Sequence, residues 1–372
     1  MAGSKSQRGV FHPLPVAAVE RLTDDSVAIT FDVPDDLADK YRFAPGQHLT
    51  LRCELAGDDV RRNYSICAPA TTGPLRVAVK RLPGGVFSTF ALERLRPGDT
   101  IEVMTPSGRF TVPLDPAQAK HYCALAAGSG ITPVLSILAT ALEVEPHSRA
   151  TLVYGNRTSR SIMFLEEVAD LKDRYLERFC VLHVLSRERQ EAELLNGRID
   201  AGKLKVLFDT VVPPETVDEW FLCGPLEMIE TVRSTLTDRG VDPAHVHREL
   251  FHVGPEPPRR RVDTGEAAAS GVRGGPEGTA TAEVTILLDG RASTFALAPS
   301  AEPILDAALA VRGDAPYACK NGMCGTCRAK LVEGDVTMDH NYALEDSELA
   351  AGFVLACQAH PAAGRVTLDF DA

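Results

Sequence analysis

Four cysteines near the end of the chain have a spacing that can bind a metal cluster. Cys319, Cys324 and Cys327 follow the pattern C-x4-C-x2-C, and Cys357 comes thirty residues later. Thiolates at this spacing are typical of 2Fe-2S sites. Zinc also accepts four thiolates, but its sites more often contain two close C-x2-C pairs, and this sequence has one. The pattern therefore favours an iron–sulfur site with these four ligands over a zinc site.

The other five cysteines lie among apolar residues with no ligand spacing. We expect them to be small hydrophobic side chains of the core: Cys53, Cys67, Cys123, Cys180 and Cys223.

A glycine-containing turn follows the apolar segment Tyr122–Ala126. Its residues include Gly128, Gly130, Thr132 and Pro133. A glycine-rich turn between a strand and a helix exposes backbone N–H groups that bind phosphate. We expect Thr132 to cap the helix and Pro133 to occupy its first position. A plain tight turn is the alternative, because this pattern is weak by itself.

Two other turns have a similar composition. Gly224 and Pro225 directly follow Cys223 at the end of an apolar segment, and Gly85 and Ser88 precede a helical stretch. Each could bind phosphate or simply connect a strand to a helix.

The elements that would position these residues change character along the chain. Short alternating segments at 11–113 predict an antiparallel barrel or sandwich. From 120 to 252, apolar strands alternate with helices, which predicts a parallel α/β sheet. Residues 253–280 contain six Gly, four Pro and no aromatic, and are predicted to be a flexible linker. The pair Asp289-Gly290 then predicts a hairpin in the last part, before a short helix and the cysteine loop.

Charge and hydropathy exclude several classes of protein. The net charge of −12 argues against nucleic-acid binding. Residues 122–142 carry no charge and are long enough to cross a bilayer, but internal Gly and Pro favour a buried strand, turn and helix. The N-terminus has no apolar run, so we expect no secretory signal, no membrane partner and a cytoplasmic location. Residues 281–372 hold 13 acidic and 6 basic side chains, net −7, a surface that suits either a basic partner or solubility alone.

In this order, the motifs resemble the ferredoxin–NADP reductase superfamily. Residues 62–65, Arg-Asn-Tyr-Ser, match its flavin motif R-x-Y-S, and the turns at 128–133 and 223–225 match its nucleotide motifs. The cysteine loop narrows the resemblance to reductases of multicomponent oxygenases. The implied fold is multi-domain. It has an antiparallel β-barrel FAD domain (8–115), a parallel-sheet α/β NADP domain (116–252), a linker (253–280) and an α+β β-grasp ferredoxin domain (281–372).

The resemblance implies roles for individual residues. Arg62 would pair with a flavin phosphate, Tyr64 would stack on the isoalloxazine, and Ser65 would lie near the nitrogen that accepts hydride. Without the resemblance, Arg62 would be half of a solvated basic pair and Tyr64 a strand aromatic. The implied catalytic residues are Ser65, Cys223 in the nicotinamide pocket, and Glu249 and Phe251 of an E-x-F motif near the flavin. The implied cofactor-binding residues are Arg62, Tyr64, Ser65, Val79, Gly85, Ser88, Gly128, Gly130, Thr132, Pro133, Arg157, Arg160, Gly224 and Pro225.

The expected cofactors are FAD, a 2Fe-2S cluster and NADPH. A nicotinamide gives two electrons as hydride and the cluster accepts one, so a flavin must stand between them. After the second strand of the α/β part, residues 155–161 contain Arg157 and Arg160 and no acid. An arginine at this place suits the extra phosphate of NADPH, whereas an acid suits NADH. Surface arginines without a ligand are the alternative.

Seven strings resemble one subgroup of the family, which supplies a di-iron monooxygenase that epoxidises an aromatic-ring thioester. They lie on both sides of the predicted linker: YRFAPGQHLTLR, AAGSGITP, LVYGNRTS, NGRID, ILDAALA, PYACKNGMCGTC and NYALEDSELAAGFVLACQAHP. The predicted partners are di-iron oxygenase subunits that receive electrons at the acidic ferredoxin domain. The alternative is a reductase for another oxygenase, such as a Rieske-type ring or steroid hydroxylase. A redox sensor without turnover is disfavoured by the intact Ser65, Cys223 and cluster cysteines.

Overall fold

The computed structural model describes residues 10–251, 262–263, 281–299 and 301–372. The chain divides into two compact units. We call Phe11–Val253 the N-terminal unit and Gly254–Ala372 the C-terminal unit, and describe each by itself.

The first half of the N-terminal unit is an antiparallel sheet that closes on itself. Its elements are β1 (Phe11–Thr23), β2 (Ser26–Phe31), β3 (His48–Leu55), β4 (Asp58–Ser65), β5 (Arg76–Lys80), helix α1 (Val86–Glu93) and β6 (Thr100–Met104). The strand order is β4-β3-β6-β1-β2-β5, and a bridge between Ile66 and Val77 connects the two ends. On β1 the alternate residues Leu14 and Val16 are buried inside. The predicted antiparallel barrel is confirmed.

The second half of this unit is a parallel sheet with helices. Its elements are β7 (His121–Ala127), α2 (Ile131–Val144), β8 (Arg149–Asn156), α3 (Leu165–Arg174), β9 (Phe179–Leu185), α4 (Ala201–Thr210), β10 (Glu219–Cys223), α5 (Leu226–Asp238) and β11 (Val246–Glu249). The order β11-β10-β7-β8-β9 is parallel throughout, as predicted. The uncharged stretch at 122–142 forms β7, a turn and α2, all within this core. In the part of the chain that the structure describes, no helix combines the length and the apolar character needed to cross a membrane.

The C-terminal unit is a mixed sheet with one main helix. Its elements are β12 (Val262–Asp263), β13 (Ala282–Leu288), β14 (Arg291–Leu297), α6 (Ile304–Val311), β15 (Arg328–Glu333), β16 (Val336–Met338), α7 (Asp346–Ala350), β17 (Phe353–Leu355), β18 (Ala359–Pro361) and β19 (Arg365–Asp369). The main sheet has the order β14-β13-β19-β15-β17, with β13 and β19 parallel. Apolar residues of α6, Ile304 and Leu305, are buried in its core. The β-grasp prediction is confirmed, and the expected hairpin connects β13 to β14.

Two sequence expectations need correction or restriction. Cys180 is exposed rather than buried, because β9 is an edge strand of the parallel sheet, and Cys53 is only half-buried. Val262–Asp263, inside the predicted linker, form β12, which pairs with β16. The other residues of the predicted linker lie outside the described residues, so the linker stays a prediction there.

An aromatic contact connects the two halves of the N-terminal unit. Phe110, beyond the last barrel strand, meets Phe221 of β10 edge to face, with ring centroids 5.5 Å apart. Phe221 is fully buried and also stacks on His247 of β11 at 5.0 Å. Edge-to-face pairs add to the stabilisation that burial provides. This contact therefore contributes to the orientation of the barrel on the parallel sheet.

Phe221→Ala should reduce the free energy of unfolding by about 3–5 kcal/mol, because truncation leaves a cavity at the junction. The measurement is urea unfolding of the N-terminal unit within the whole protein, followed by tryptophan fluorescence of Trp220. Leu176→Ala is the control, since Leu176 is 66% exposed and its truncation should change the value by less than about 0.5 kcal/mol. Similar losses in the two variants would contradict a structural role for the junction.

Candidate functional site

Three of the four predicted catalytic residues converge where the barrel meets the parallel sheet. Ser65 is the last residue of β4, and its hydroxyl donates to the Glu249 carboxylate at 3.0 Å. Glu249 ends β11 and is the register partner of Cys223, the last residue of β10. Phe251, two residues after Glu249, is 37% exposed. The carboxyl ends of parallel strands are the usual place for a ligand in α/β folds, so this junction is the candidate active site.

Burial shifts the acidic groups of this junction toward their uncharged forms. Burial raises the pKa of Glu249 from 4.5 to about 7, and the hydrogen bond from Ser65 opposes this only in part. Burial, with the neighbouring Glu249, raises the pKa of the Cys223 thiol well above its usual value. A thiol with a raised pKa is a poor nucleophile. Cys223, which is fully buried, is therefore not prepared for covalent catalysis.

The turn after β7 packs directly against Cys223. A Cβ atom on Gly130 would lie 2.1 Å from the Cys223 carbonyl oxygen, so no other residue fits there without a shift. The turn after β10 is similarly close to the end of β7, because a Cβ on Gly224 would lie 3.1 Å from the Cβ atom of Ala127. Pro225 then precedes α5 as its N-cap residue. The two nucleotide turns predicted from sequence are thus brought together at the ends of adjacent strands.

The start of α2 differs from the prediction. A 3-10 turn at Gly128–Gly130 comes first, α2 begins at Ile131, and no side chain caps it. Thr132 is the second helical residue and donates its hydroxyl to the Ser129 carbonyl. The prediction of Thr132 as the cap and Pro133 as the first residue was wrong, because Gly130 already has helical backbone angles and is the N-cap, so α2 begins earlier, at Ile131. The uncapped N–H groups of α2 remain suited to phosphate.

The barrel provides an apolar face beside a cation. Arg62 and Tyr64 alternate on β4 and so point to one side of the strand. Arg62 is exposed, with one bond to the Arg61 carbonyl at 2.7 Å, and Tyr64 is half-buried with its ring 5.4 Å from Phe87. A planar ring beside an exposed guanidinium can hold an aromatic ring system and a phosphate. These residues fit a flavin nucleotide.

The turn before α1 has a second phosphate-compatible arrangement. Gly85 is the N-cap of α1 and provides no side chain. The Ser88 hydroxyl donates to the Gly85 carbonyl and accepts from the Leu82 amide, both at 3.1 Å, so it shapes the turn. Val79 is fully buried in the barrel core, so its side chain does not face a nucleotide.

The two predicted arginines of the nucleotide loop lie at the exposed end of β8. Arg157 forms an ion pair with Asp25 of the barrel at 3.1 Å, and Arg160 is exposed. The Arg157 side chain is 53% exposed, so this pair is weak and an anionic ligand can replace it. Their role in NADPH binding stays a prediction.

Two further cations at this site were missed in the sequence. Lys80, at the end of β5, lies 3.7 Å from Asp25, and its ammonium nitrogen would be 4.0 Å from a Cβ on Gly128. Arg187 is exposed beyond β9, and its amide donates to the Arg157 carbonyl at 2.8 Å. No local sequence pattern identifies either residue, because each comes close to the site only when a neighbouring strand packs beside it.

The four predicted metal ligands form two pairs in the C-terminal unit. The hydrogen bond with Cys324 lowers the pKa of Cys319 to about 6, and that with Cys327 lowers the pKa of Cys357. Four thiolates at this spacing can hold a 2Fe-2S cluster, which takes two thiolates on each iron.

Backbone groups around the thiols also fit a cluster. The Asn321 amide points at the Cys319 sulfur at 3.4 Å, and the Thr326 amide at the Cys324 sulfur at 3.5 Å. Gly322 has a φ of +72°, a conformation that L side chains rarely adopt, which lets the loop curl around the sulfurs. Such N–H groups stabilise anionic sulfur and influence the reduction potential of a cluster.

Family models match three successive parts of the chain. An oxidoreductase FAD-binding domain matches residues 13–112, and an oxidoreductase NAD-binding domain matches residues 124–234. A 2Fe-2S iron-sulfur cluster binding domain matches residues 286–362. These matches agree with the barrel, the parallel sheet and the C-terminal unit, in that order.

Curated relatives match over nearly the whole chain. A subunit of the 1,2-phenylacetyl-CoA epoxidase of Escherichia coli K12 is 45% identical over 97% of this chain and 98% of its own length. The ferredoxin reductase component of 3-ketosteroid-9-alpha-monooxygenase from Rhodococcus rhodochrous is 35% identical over 96% of both chains. The glycine betaine monooxygenase reductase subunit of Pseudomonas aeruginosa PAO1 is 29% identical over 89% of this chain and 88% of its own.

Solved structures share the fold. Phthalate dioxygenase reductase, described as modular for electron transfer from pyridine nucleotides to [2Fe-2S], aligns with a TM-score of 0.58. Its sequence is 22% identical, and the alignment covers 99% of this chain and 100% of that one. This chain is thus an oxidoreductase of the family of oxygenase reductase components that combine FAD-binding, NAD-binding and 2Fe-2S domains.

Proposed function

We propose that this chain takes hydride from NADPH and supplies single electrons to the di-iron subunits of a phenylacetyl-CoA epoxidase in phenylacetate catabolism. The observation that carries this proposal is the 45% identity, over 97% of the chain, to the epoxidase subunit from E. coli. The steroid monooxygenase component, which represents the alternative of another oxygenase, is 35% identical over a similar length. The higher identity supports the epoxidase as the oxygenase partner.

The flavin, when bound, converts the two-electron hydride into single electrons for the cluster. On this proposal Arg62 would bind its phosphate and Tyr64 would cover one face of its ring. The opposite face of the flavin ring would be left for the nicotinamide. The apolar, uncharged side chain of Cys223 would accommodate the nicotinamide there. The glycines at 128, 130 and 224 let the backbone approach the dinucleotide closely.

Ser65 and Glu249 are proposed to hold a proton at the hydride-transfer site. The Glu249 carboxyl is 3.0 Å from the Ser65 hydroxyl, which lies at the barrel end of the junction. With a pKa of about 7, Glu249 is near the value at which a group can both take and give a proton at neutral pH. Glu249 could thus balance a charge that develops near Ser65 by taking or giving a proton, without exchange with bulk water.

NADPH is proposed over NADH because three exposed arginines lie on the loops that follow β8 and β9. Arg157 and Arg160 lie on the loop, and Arg187 follows the adjacent strand with its backbone bonded to Arg157 at 2.8 Å. Guanidinium groups suit bidentate contacts to a phosphate, which NADH lacks at the ribose.

The oxygenase partner is proposed to dock on the acidic C-terminal unit. Residues 281–372 carry a net charge of −7, and the cluster loop contains half-exposed cysteines Cys319 and Cys324. A partner with a basic face would be steered toward that loop.

Purified protein should contain two irons and one flavin per chain, and with NADPH it should reduce purified phenylacetyl-CoA epoxidase di-iron subunits.

Cys324→Ser should abolish that reduction by removing a cluster thiolate, while NADPH-driven reduction of ferricyanide persists through the N-terminal unit. Both activities are followed by absorbance, with Cys180→Ser as the control for an exposed cysteine outside the cluster. Zinc in place of iron, or reduction of a steroid oxygenase but not the epoxidase, would contradict the proposal.

The double variant Arg157→Ala/Arg160→Ala should raise the Michaelis constant for NADPH about ten- to several-hundredfold. Two charge-assisted contacts of about 1.5–3 kcal/mol each are lost, and they need not be additive. The constant for NADH and the maximal rate should change little, because only ground-state binding of the phosphate is removed. Steady-state kinetics with both nucleotides measures this. Equal losses for NADPH and NADH, or a wild type that prefers NADH, would contradict the choice of nucleotide.

Glu249→Gln should change how stability depends on pH. The unfolded chain releases this proton near pH 4.5 and the folded chain near pH 7, so the folded state binds more protons between these values. The free energy of unfolding contributed by this group therefore falls as pH rises from about 4.5 to about 7. Glu249→Gln should remove that fall, whereas Glu227→Gln, an exposed carboxylate of α5, should keep it. Urea unfolding at pH 5 and 7.5 tests this, and an unchanged slope in Glu249→Gln would refute the shift.

A further inference from the structure

Two loops beyond the parallel sheet are connected by a series of hydrogen bonds. The carbonyl of Asn156, the last residue of β8, accepts from the Ser186 amide at 3.0 Å, and the carbonyl of Arg157 accepts from the Arg187 amide at 2.8 Å. One step further, the Glu188 carboxylate accepts from Ser159. The chain after β9 therefore stays attached to the arginine loop, which we define as residues 155–161.

The last of these contacts is made by a single oxygen atom. Oε2 of Glu188 accepts from the Ser159 backbone amide at 2.8 Å and from the Ser159 hydroxyl at 2.9 Å. Ser159 begins the 3-10 turn Ser159–Ser161, which is also supported by a reciprocal capping box between Thr158 and Ser161. Glu188 thus holds the first residue of this turn from outside the turn itself.

The position of this contact matters because of its neighbours. Arg157 lies two residues before Ser159, Arg160 one residue after it, and Arg187 directly before Glu188. All three arginines are exposed, and long exposed side chains lose entropy when a ligand orders them. A fixed loop backbone leaves the three guanidinium groups fewer conformations to lose when they converge on a ligand.

We propose that Glu188 is a positioning residue that fixes the arginine loop for the ribose phosphate of NADPH. This inference rests on the proposed nucleotide. The carboxylate itself cannot bind a phosphate favourably, since like charges repel, so Glu188 acts through Ser159. It determines nucleotide preference without contributing to hydride transfer.

A different role for the same carboxylate predicts the opposite behaviour. An acid at the ribose-binding end of such a sheet can accept from a ribose hydroxyl and repel a phosphate. If Glu188 acted in that way, loss of its charge would tighten phosphate binding. A positioning role needs only an acceptor oxygen, which glutamine retains and alanine lacks.

The test compares flavin- and cluster-loaded wild type with Glu188→Ala, Glu188→Gln and the control Glu191→Ala. Glu191 is exposed in the same loop, three residues further along the chain. Binding of 2′-AMP and 5′-AMP is measured by calorimetry, and Michaelis constants are measured for NADPH and NADH. The flavin spectrum and thermal unfolding verify that each variant is folded.

Glu188→Ala should weaken 2′-AMP binding and raise the NADPH constant about three- to tenfold, as expected for two exposed hydrogen bonds. Binding of 5′-AMP, the NADH constant and the maximal rate should stay within about twofold, since these contacts do not touch the base or the nicotinamide. Glu188→Gln should resemble the wild type, and so should Glu191→Ala.

Three results would overturn the proposal for Glu188. They are unchanged 2′-AMP binding in Glu188→Ala, tighter 2′-AMP binding in Glu188→Gln, and equal losses for 2′-AMP and 5′-AMP. A wild type that binds 5′-AMP as well as 2′-AMP and prefers NADH would instead overturn the proposed nucleotide. The preference of the wild type and the change caused by the variants are separate measurements, so the two failures can be distinguished.

Discussion

The close approach of the turn after β7 to the end of β10 is the constraint on which the active-site junction depends. Because Gly130 has no side chain, the start of α2 can lie against the Cys223 carbonyl. The register of β10 and β11 places Cys223 beside Glu249, and the Glu249 carboxylate accepts a hydrogen bond from Ser65 of the barrel. A larger residue at position 130 would separate the nucleotide turn from these side chains, and the junction would lose its shape.

The distribution of charge in the N-terminal unit matches what the two ends of a dinucleotide need, with less negative charge at the junction and cations at the ends of β5 and β8. At the junction, burial raises the pKa of Glu249 to about 7 and the pKa of the Cys223 thiol well above its usual value, so the region near Ser65 carries less negative charge than exposed groups would give it. Towards the ends of β5 and β8, Lys80 and Arg157 flank the single carboxylate of Asp25. An uncharged interior suits hydride transfer, and an exposed cationic edge suits phosphates. The division follows from burial, because charged groups stay where water can solvate them.

The C-terminal unit has its own core and its own ligand set. Its ligand set is Cys319, Cys324, Cys327 and Cys357, whose spacing in the chain is typical of 2Fe-2S sites. Backbone amides directed at the sulfurs belong to the same loop, so the cluster environment is produced locally. Each unit can therefore be altered by mutation with its own measurable consequence, either for nucleotide oxidation or for electron delivery.

Features that depend on neighbouring residues could be predicted from the amino-acid sequence. Strand alternation, the Asp289-Gly290 hairpin and the cysteine spacing are local patterns, and they predicted a barrel or sandwich, a parallel sheet and a hairpin before the cluster loop. The choice of a barrel and the β-grasp came from the resemblance to a known family. Which distant residues meet was settled by the packing of the elements. Lys80 and Glu188 became part of the candidate site only because strands far apart in sequence end at one edge of the N-terminal unit. The exposure of Cys180 was likewise set by the place of β9 at the edge of its sheet, since strand order depends on packing between elements rather than on local sequence.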